Sequence, residues 1–415
     1  MTNRQAAIQI VRRLQDHGFQ ALLAGGCVRD MLLGRKPKDY DVATNARPKD
    51  VMRLFSHTLS IGAKFGVVIV LMQHGQVEVA TFRTEAGYRD GRHPDEVTFT
   101  DAAEDASRRD FTINGMFYDP LAERVIDYVS GQTDLNKRVI RTVGDPEERL
   151  AEDYLRMLRA IRFSTRLGFV IEPATFAAVC RNAERITRIS GERIAAELEA
   201  ILVDPNRQTG ASMLFDSGLA DAIFPGLPGD RCRRVVAILE RLRRRVDFPL
   251  ALTAFFAGCQ ADAALTKCRI LKLSRSRMKH LGFLLTHRGT LLDDGMPLAP
   301  LKKLLAKPYF WDLYELERAT QKADDDKPAL ASLARLRRRV RTLRGVDVKP
   351  TPLLSGHDLI RLGATPGPVL GQLAEELYIA QLEGQLHTKE QAAAWAGQWL
   401  QEHSGADSQM FPTEH

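Results

Sequence analysis

The stretch LLAGGCVRDMLLGRKPKDYDVATNA, residues 22–46, contains a DYD triplet formed by Asp39, Tyr40 and Asp41. Residues two positions apart along a β-strand point to the same face of the sheet. A strand over this triplet therefore aims Asp39 and Asp41 into one cleft while Tyr40 packs behind them. Two carboxylates at that spacing supply the hard oxygen ligands that Mg²⁺ prefers. The alternative is a pair of solvated acids at a strand edge, the commoner fate of such a triplet.

The residues before the triplet predict a strand-to-helix turn. Ala21–Ala24 is a short apolar strand that runs into Gly25 and Gly26, and Arg29 follows at the start of a helix. Glycines at such a turn let the backbone approach a phosphate closely, although a tight turn alone also explains a glycine pair. The segment contains neither GxGxxG nor the GK[ST] of a P-loop, which argues against dinucleotide binding and Walker-type ATPase chemistry.

A third acidic residue lies on the next predicted hairpin. Val67–Met72 and Gln76–Thr81 form its two strands, which are joined by a turn at His74 and Gly75. Glu78 is the lone acid of the second strand. It is therefore either a third metal carboxylate beside the aspartates or an exposed strand residue.

Two polar segments complete the N-terminal region. Residues 83–96, RTEAGYRDGRHPDE, predict a long mobile loop rather than a regular element, and long loops beside active sites are often lids. The adjacent Arg108 and Arg109 open the segment RRDFTIN. They are suited to hold a triphosphate through charge-assisted hydrogen bonds, or to form salt bridges on a helix surface.

Composition narrows the class of protein. The chain has 415 residues, 44% of them hydrophobic, which is enough for two to four domains with sizeable cores. Lys and Arg number 59 against 52 Asp and Glu, and the resulting charge of +7 favours a polyanionic partner. The five cysteines are an odd count with no CxxC spacing, so they indicate neither a disulfide framework nor a zinc knuckle. A reducing, cytoplasmic location is therefore expected. No stretch has the length and apolarity of a signal peptide or membrane span.

Beyond the N-terminal region the pattern is almost wholly helical. In the helix predicted over 147–167, Asp153 and Arg156 lie three positions apart on one face and can act together on one small flat object. Arg159 and Arg162 continue the series away from the apolar side. The alternative for Asp153 and Arg156 is an ordinary ion pair within the helix.

Two later stretches are basic. Residues 231–245 and 334–345 each predict an amphipathic helix with arginines on its outer face, which suits a phosphate backbone. The alternative is a solvated helix face. Residues 224–229 predict a domain boundary, and residues 353–399 have a helical pattern of their own.

Taken in order, GGCVRD, DYD, RRDFTIN and EDYLR resemble the motifs of the bacterial class II tRNA nucleotidyltransferases, the CCA-adding enzymes, and of the related bacterial poly(A) polymerases. The resemblance covers the first half of the chain, and GHDLIRLGATPGP resembles a C-terminal segment of the same enzymes. It implies an α+β fold: a nucleotidyltransferase head with a mixed sheet and flanking helices, followed by all-helical neck, body and tail domains. The implied domains are 1–148 (catalytic head), 149–227 (nucleotide-selecting neck), 228–346 (RNA-binding body) and 347–415 (tRNA-binding tail).

The resemblance also implies roles for single residues. Asp39 and Asp41 are implied to bind Mg²⁺. The residues implied to contact the bound nucleotide, ATP or CTP, are Gly26, Arg29, Arg109, Asp153, Arg156, Arg159 and Arg162. One departure is Ser130 before Gly131, where many members have two glycines, which leaves the geometry of that turn open.

The implied reaction is the template-independent addition of C, C and A to the 3′ end of tRNA, with Mg²⁺ as cofactor. Cytosine and adenine both present an amine beside a ring nitrogen acceptor, so a carboxylate at Asp153 and a guanidinium at Arg156 can read both. The metal activates the tRNA 3′-hydroxyl for attack on the α-phosphate, and pyrophosphate leaves. The partners are the 3′ end and acceptor arm of tRNA, ATP and CTP, with no membrane.

Three alternative functions stay open. They are an A-adding enzyme of a split CC/A pair, a poly(A) polymerase, and a catalytically inactive RNA-binding relative. Residues 62–66 lack the Arg-rich variant of the polymerases, and the full-length loop over 83–96 argues against a CC-only enzyme. The intact carboxylates and RRD motif argue against an inactive relative.

Overall fold

The computed structural model describes residues 2–62, 65–73, 75–86, 96–227 and 232–403. The chain divides into two compact units, Met1–Met278 and Lys279–His415. Part of the 62–66 stretch, His74 and residues 87–95 lie outside the described residues.

A seven-stranded mixed sheet organises the N-terminal half of unit 1, in the order β3-β4-β5-β2-β1-β8-β9. Strands β2 and β5 pair in parallel and all other neighbours are antiparallel. The predicted strand at Ala21–Ala24 and the predicted hairpin are both present. The strands of unit 1 are β1 (Ala21–Ala24), β2 (Asp41–Thr44), β3 (Thr58–Gly62), β4 (Val67–Met72), β5 (Gly75–Thr81), β6 (Arg83–Ala86), β7 (Glu96–Phe99), β8 (Met116–Asp119), β9 (Arg124–Asp127), β10 (Val139–Ile140) and β11 (Val170–Ile171).

Short helices flank this sheet, and side chains at their N-termini define where several of them start. Thr2 and Gln5 form a capping box on the first helix, and Asp101 accepts two backbone N–H groups at the fourth. Phe82 and Phe117 meet edge to face at 5.7 Å in the core between sheet and helices. These helices are α1 (Asn3–Asp16), α2 (Gly26–Leu32), α3 (Pro48–Leu54), α4 (Ala102–Ser107) and α5 (Gly131–Lys137).

The prediction of a structureless loop over 83–96 is wrong at both ends of the segment. Strands β6 and β7 pair with each other in antiparallel register, from Arg83 opposite Phe99 to Ala86 opposite Glu96. The strands form where the prediction had a loop because Thr84 and Thr98 are paired across the ladder, and threonine favours a strand. The charged residues between the strands hid this pairing in the sequence.

The turn at Ser130 adopts the conformation that glycine usually supplies. Ser130 has φ +62° and ψ +28°, in the left-handed region, and stands at the N-terminal end of α5. A Cβ atom at Gly131 would lie only 2.3 Å from the carbonyl oxygen of Thr112. The turn thus keeps its geometry although a serine replaces the first of two glycines, at the cost of a conformation that L-residues rarely adopt.

The remainder of unit 1 is mostly helical, which confirms the predicted change of pattern. Strand β10 pairs in parallel with β11 there, with Val139 opposite Val170. The helices are α6 (Pro146–Glu152), α7 (Leu155–Leu167), α8 (Pro173–Asn182), α9 (Gly191–Leu202), α10 (Arg207–Asp216), α11 (Leu219–Ile223), α12 (Cys232–Arg241), α13 (Phe248–Phe255) and α14 (Ala261–Cys268).

The predicted basic helix over 231–245 ends early, at Arg241. Arg207, only 1% exposed, donates to the carbonyl oxygens of Arg243 (3.3 Å) and Arg244 (2.8 Å). These bonds hold the backbone in a turn between α12 and α13, and the side chains of residues 243–245 are exposed. Three of the predicted arginines therefore lie on a turn instead of a helix face.

Unit 2 is helical throughout its described part. Its last three helices pack around a core that contains Leu359, Leu373, Leu377 and Trp399, as the separate pattern over 353–399 predicts. Among the described helices, none combines the length and hydropathy of a membrane span. The helices are α15 (Arg275–Thr286), which crosses the division between the units, α16 (Leu298–Leu305), α17 (Phe310–Ala323), α18 (Lys327–Thr342), α19 (Gly356–Arg361), α20 (Pro368–Leu382) and α21 (Lys389–His403).

Candidate active site

A cleft of about 530 Å³ lies in unit 1, between the sheet and helices α7 and α9. Nine arginines of the described chain line it, against four acidic residues, Asp41, Glu78, Asp110 and Asp153. The volume is that of a small-molecule site. The excess of guanidinium groups makes the cleft a place for an anionic ligand.

Asp41 and Glu78 lie next to each other on two paired strands. Strands β2 and β5 place Val42 opposite Val79, so the residues one position earlier are neighbours as well. Removal of the Asp41 carboxylate from water, reinforced by the charge of Glu78, raises the pKa of Asp41 to about 6. Two adjacent carboxylates in a cleft are a donor set that fits a hard divalent cation.

Asp39 lies outside the strand in which it was predicted. Strand β2 begins at Asp41 because its partner β1 ends at Ala24, opposite Asp41, and the chain then turns at Gly25. Asp39 is exposed and is not among the cleft-lining residues, although its charge contributes to the raised pKa of Asp41. Tyr40 is 9% exposed and packs behind, as predicted.

The glycine turn is required at Gly25 more than at Gly26. Gly25 has φ +71°, and a Cβ atom there would lie 2.9 Å from Nη1 of Arg109. Gly26 has an ordinary φ, and its added Cβ would come no closer than 3.5 Å to Arg29. Both glycines line the cleft. Any side chain at position 25 would therefore displace Arg109.

Asp105 joins the two arginines of the RRD motif. Its carboxylate accepts from Nη2 of Arg108 (2.7 Å) and from Nη2 of Arg109 (3.0 Å), and all three side chains are largely buried. Burial alone would raise the pKa of Asp105, but the two guanidinium groups hold it below its ordinary value. Arg108 and Arg109 also line the cleft, so the two predicted roles, salt bridge and anion contact, are compatible.

Arg29 is buried at the back of the cleft, with 4% of its surface exposed. Its guanidinium donates to Asp30 Oδ1 from Nε (2.9 Å) and Nη2 (2.8 Å), and to Asn114 Oδ1 from Nη1 (2.6 Å). Asn114 in turn donates to Asp110 Oδ1 at 3.0 Å. The glycine turn and the RRDFTIN segment are therefore joined by hydrogen bonds.

The single helix predicted over 147–167 is two helices. Helix α6 ends at Glu152 and α7 begins at Leu155, and Asp153 between them has extended backbone with φ −149° and ψ 102°. Asp153 Oδ1 accepts from the backbone N–H of Leu155 at 3.0 Å. This local bond competes with the helical ladder, which is the physical reason for the break.

Asp153 and Arg156 do not pair with each other. Asp153 Oδ2 accepts from Nη2 of Arg193 at 2.6 Å. Arg156 donates to the carboxylate of Glu152 and to the carbonyl oxygen of Arg149 at 2.7 Å. Arg156 does form an ion pair, but its acid is Glu152 at the end of α6, so the pair joins the two helices. Asp153 and Arg156 nevertheless both line the cleft.

Arg159 and Arg162 lie on the cleft side of α7, each against an acid from another element. Arg159 donates to Asp110 Oδ2 from Nε (2.9 Å) and Nη2 (2.5 Å), and Arg162 donates from Nε to Glu197 Oε2 (2.6 Å). Burial would raise the pKa of Asp110, but Arg159 and Asn114 hold it far below its ordinary value.

The structure thus brings together all but one of the predicted site residues, Asp39 excepted. The residues missed by sequence reasoning are the partners that hold these side chains: Asp105, Asp110, Asn114, Arg193 and Glu197. Arg193 and Glu197 are four positions apart on α9, the spacing of neighbours on one helix face, and that spacing was the available signal.

Comparison with known proteins gives concordant results. The family model described as "Poly A polymerase head domain" matches residues 21–141, and "Probable RNA and SrmB- binding site of polymerase A" matches residues 168–229. A CCA-adding enzyme of Geobacillus stearothermophilus is 34% identical over 397 residues, 94% of this chain and 96% of the relative. One of Lactobacillus johnsonii is 33% identical over 398 residues, 93% and 95% of the two chains.

Solved structures of similar proteins share the fold. The crystal structure of a Bacillus stearothermophilus CCA-adding enzyme in complex with CTP has a TM-score of 0.80 and 29% identity, over 98% of this chain and 99% of that one. A Thermotoga maritima CCA-adding enzyme complexed with tRNA has a TM-score of 0.66 and 21% identity, over 95% of each chain.

Proposed function

The chain belongs to the family of CCA-adding enzymes, and from that premise we propose that its arginine-lined cleft binds CTP and ATP and transfers their nucleotides to the 3′ end of tRNA. The observation that carries this assignment is the cleft itself. It combines the Asp41 and Glu78 carboxylates with nine arginines in a volume of about 530 Å³. A nucleoside triphosphate needs both a cation-binding edge and a basic wall.

Asp41 and Glu78, with Asp39 beside them, are the residues that would hold Mg²⁺. When bound, the ion stabilises charge on the α-phosphate and lowers the pKa of the attacking 3′-hydroxyl. The raised pKa of Asp41 supports this role, because a bound cation offsets the repulsion between neighbouring carboxylates. Asp39 is not among the residues that line the cleft, so it would have to turn toward it to bind the ion.

Base selection falls to Asp153 and Arg156. Each carboxylate oxygen has two acceptor positions, so Asp153 can accept from a base amine while it stays bonded to Arg193 and Leu155. Arg156 would donate to N3 of cytosine or N1 of adenine. Uracil and guanine present a carbonyl oxygen and an N–H at these positions, and both contacts fail.

The remaining arginines serve the triphosphate. Arg109, Arg159 and Arg162 each form an ion pair with a carboxylate, which orients the guanidinium group. All three also line the cleft, where their charge can act on a ligand. Gly26 and Arg29 would border the same ligand from the turn after β1. The reaction then proceeds by in-line attack of the 3′-hydroxyl and release of pyrophosphate.

The rest of the chain would position the tRNA. We assign the boundaries 1–148, 149–227, 228–346 and 347–415 to head, neck, body and tail, with the acceptor arm held by the last two. Exposed arginines at 243–245 and along α18 support a phosphate-backbone contact. The five cysteines, all within the described residues, form no disulfide with one another, which supports a reducing, cytoplasmic setting.

One experiment separates this function from its alternatives. Two tRNAs, one that ends before CCA and one that ends in CC, are each incubated with Mg²⁺ and with CTP, ATP or both, and the products are sequenced. On the first tRNA a CCA-adding enzyme yields CC with CTP alone and CCA with both. Tails of A alone indicate a poly(A) polymerase, addition of A only to a CC end indicates an A-adding enzyme, and no product indicates an inactive relative.

A further inference from the structure

The ring of Phe163 lies among three guanidinium groups. The Cζ atom of Arg162 is 4.2 Å from the ring centroid, that of Arg29 is 5.2 Å away and that of Arg159 is 5.4 Å away. All three distances are within the range of a cation–π contact. Phe163 is 5% exposed and lines the cleft, so its ring is part of the cleft wall.

The ring itself is held in place. Phe111, which is fully buried, meets Phe163 edge to face with centroids 5.7 Å apart and an interplanar angle of 79°. Such a contact restrains both rings. Phe111 belongs to RRDFTIN and Phe163 to α7. The contact between the two rings therefore joins the same two segments as the hydrogen bonds between Asp110 and Arg159.

The three arginines differ in how firmly other groups hold them. Arg29 is bonded to Asp30 and to Asn114. Arg159 is bonded to Asp110 and has its Nη1 4.0 Å from Glu197 Oε1. Arg162 is bonded to Glu197. For Arg162 that bond is a single one, from Nε. A guanidinium bound through one atom can still turn about that bond. A ring against its face removes this freedom, because the cation prefers to lie over the π-system.

An aromatic ring at this position differs from a further carboxylate in its effect on the charge of the cleft. An acid in the position of Phe163 would attract the three arginines and also cancel one of their charges. An aromatic face attracts cations without carrying a net charge. The positive charge of the cleft is therefore kept for its ligand.

We propose that Phe163 is a positioning residue, whose ring sets the plane of the Arg162 guanidinium, and adds to the restraint on Arg29 and Arg159, for binding the nucleoside triphosphate. The inference rests on the proposed function of the cleft and adds a residue to which no role was assigned. Loss of the ring should leave all three charges present but the Arg162 guanidinium free to turn about its one bond. Affinity for CTP and ATP should fall by about 10-fold, the effect of one to two cation–π contacts, while affinity for tRNA is unchanged.

The test measures equilibrium binding of CTP and ATP to full-length protein in Mg²⁺, together with KM for each nucleotide and for tRNA. The variants are Phe163→Leu, which keeps an apolar side chain without a π-face, and Phe163→Tyr, which keeps the ring. Phe169→Leu is the matched control, since Phe169 is also 5% exposed and follows the same helix. If Phe163→Leu does not fold, Phe163→Met makes the same comparison with a more adaptable side chain.

The expected result is weaker nucleotide binding and a raised nucleotide KM for Phe163→Leu only, with Phe163→Tyr close to wild type. Phe169→Leu should lose thermal stability alone. Equal nucleotide affinity in Phe163→Leu and wild type, or equal losses in the Leu and Tyr variants, would overturn the positioning role. Incorporation of CTP by the wild-type protein in the same assay tests the proposed function separately.

Discussion

Asp153 Oδ2 lies 2.6 Å from Nη2 of Arg193, 40 residues later in the chain, and this bond joins the interruption between α6 and α7 to helix α9. Asp153 has no helical ladder to hold it, because its backbone is extended. Its carboxylate is oriented by Leu155 and Arg193 instead. The carboxylate of Asp153, which is proposed to recognise the base, is therefore oriented by a residue of a second helix.

Replacement of Arg193 should impair base reading without removing any proposed base contact. Arg193→Ala leaves the Asp153 carboxylate held only by the backbone N–H of Leu155. The kcat/KM for CTP and ATP should therefore fall by about 10-fold, the value of one charge-assisted hydrogen bond. Arg193→Lys should retain part of the activity. Arg185→Ala removes an exposed arginine of the preceding segment and should behave as wild type. Equal activity of Arg193→Ala and Arg185→Ala would contradict the role.

Arg156→Ala should narrow the preference for CTP over UTP. Loss of the donor to N3 of cytosine costs about 1–3 kcal/mol, so correct incorporation falls by roughly ten- to a hundredfold. UTP should lose less, because its ring N–H no longer meets another donor. Single-turnover rates with each nucleotide measure the ratio. If the ratio of the CTP and UTP rates is unchanged while both rates fall, Arg156 only stabilises the junction of α6 and α7 through its ion pair with Glu152.

Asp41→Asn should abolish incorporation while leaving tRNA binding intact, since its carboxylate faces the cleft and not the core. Glu78→Gln should raise the Mg²⁺ concentration needed for half-maximal activity, because a neighbouring ligand is removed. Asp16→Asn, at an exposed position of α1, is the control. A Glu78→Gln variant with the Mg²⁺ dependence of wild type would make Glu78 an ordinary strand residue.

Asp105→Asn should make the stability of the protein less sensitive to acid. The folded-state pKa of Asp105 is depressed, so the stability it contributes is present above its unfolded value of about 4 and is lost as the pH falls through the folded value. At neutral pH the variant should be less stable by about 3 kcal/mol, because two arginines lose their shared partner. Thermal midpoints measured between pH 3 and pH 7 should fall less steeply for Asp105→Asn than for wild type.

Arg337, Arg338 and Arg341 should set the salt dependence of tRNA binding. They are exposed on α18, and within the described part of the chain none has a carboxylate partner. Substitution of each arginine that binds a phosphate should reduce the slope of log affinity against log salt by about 0.7–0.9. Arg335, on the same helix, pairs with Asp294, and Arg335→Ala should leave the slope unchanged. Identical slopes for both kinds of variant would make α18 a solvated face.

Motif spacing predicted the parts of the site that depend on local sequence. Strand β1, the hairpin that carries Glu78 and the arginines of α7 could all be found from periodicity and residue type. The mixed sheet was implied by the family resemblance, whereas the mostly helical remainder also follows from the pattern. Each of these depends on residues close together in the chain.

Those partners that come from distant elements could not be predicted. That Asp153 faces Arg193 and Asp110 faces Arg159 depends on how α7 and α9 pack, which no local pattern reports. The helix break at Asp153 was missed because a side-chain bond to Leu155 overrode good helix formers on both sides. Strands β6 and β7 were missed because charged residues flank them.

The bond between Asp110 and Arg159 also bears on how the chain is made. A ribosome releases the N-terminus first, so Asp110 emerges 49 residues ahead of the guanidinium that it binds. The last strand of the seven-stranded sheet ends at Asp127, well before α7. Burial of the Asp110 carboxylate before its cation is available would be costly. We therefore expect Asp110 to stay in contact with water until α7 arrives, so that the wall proposed to receive the nucleotide is completed only when α7 packs.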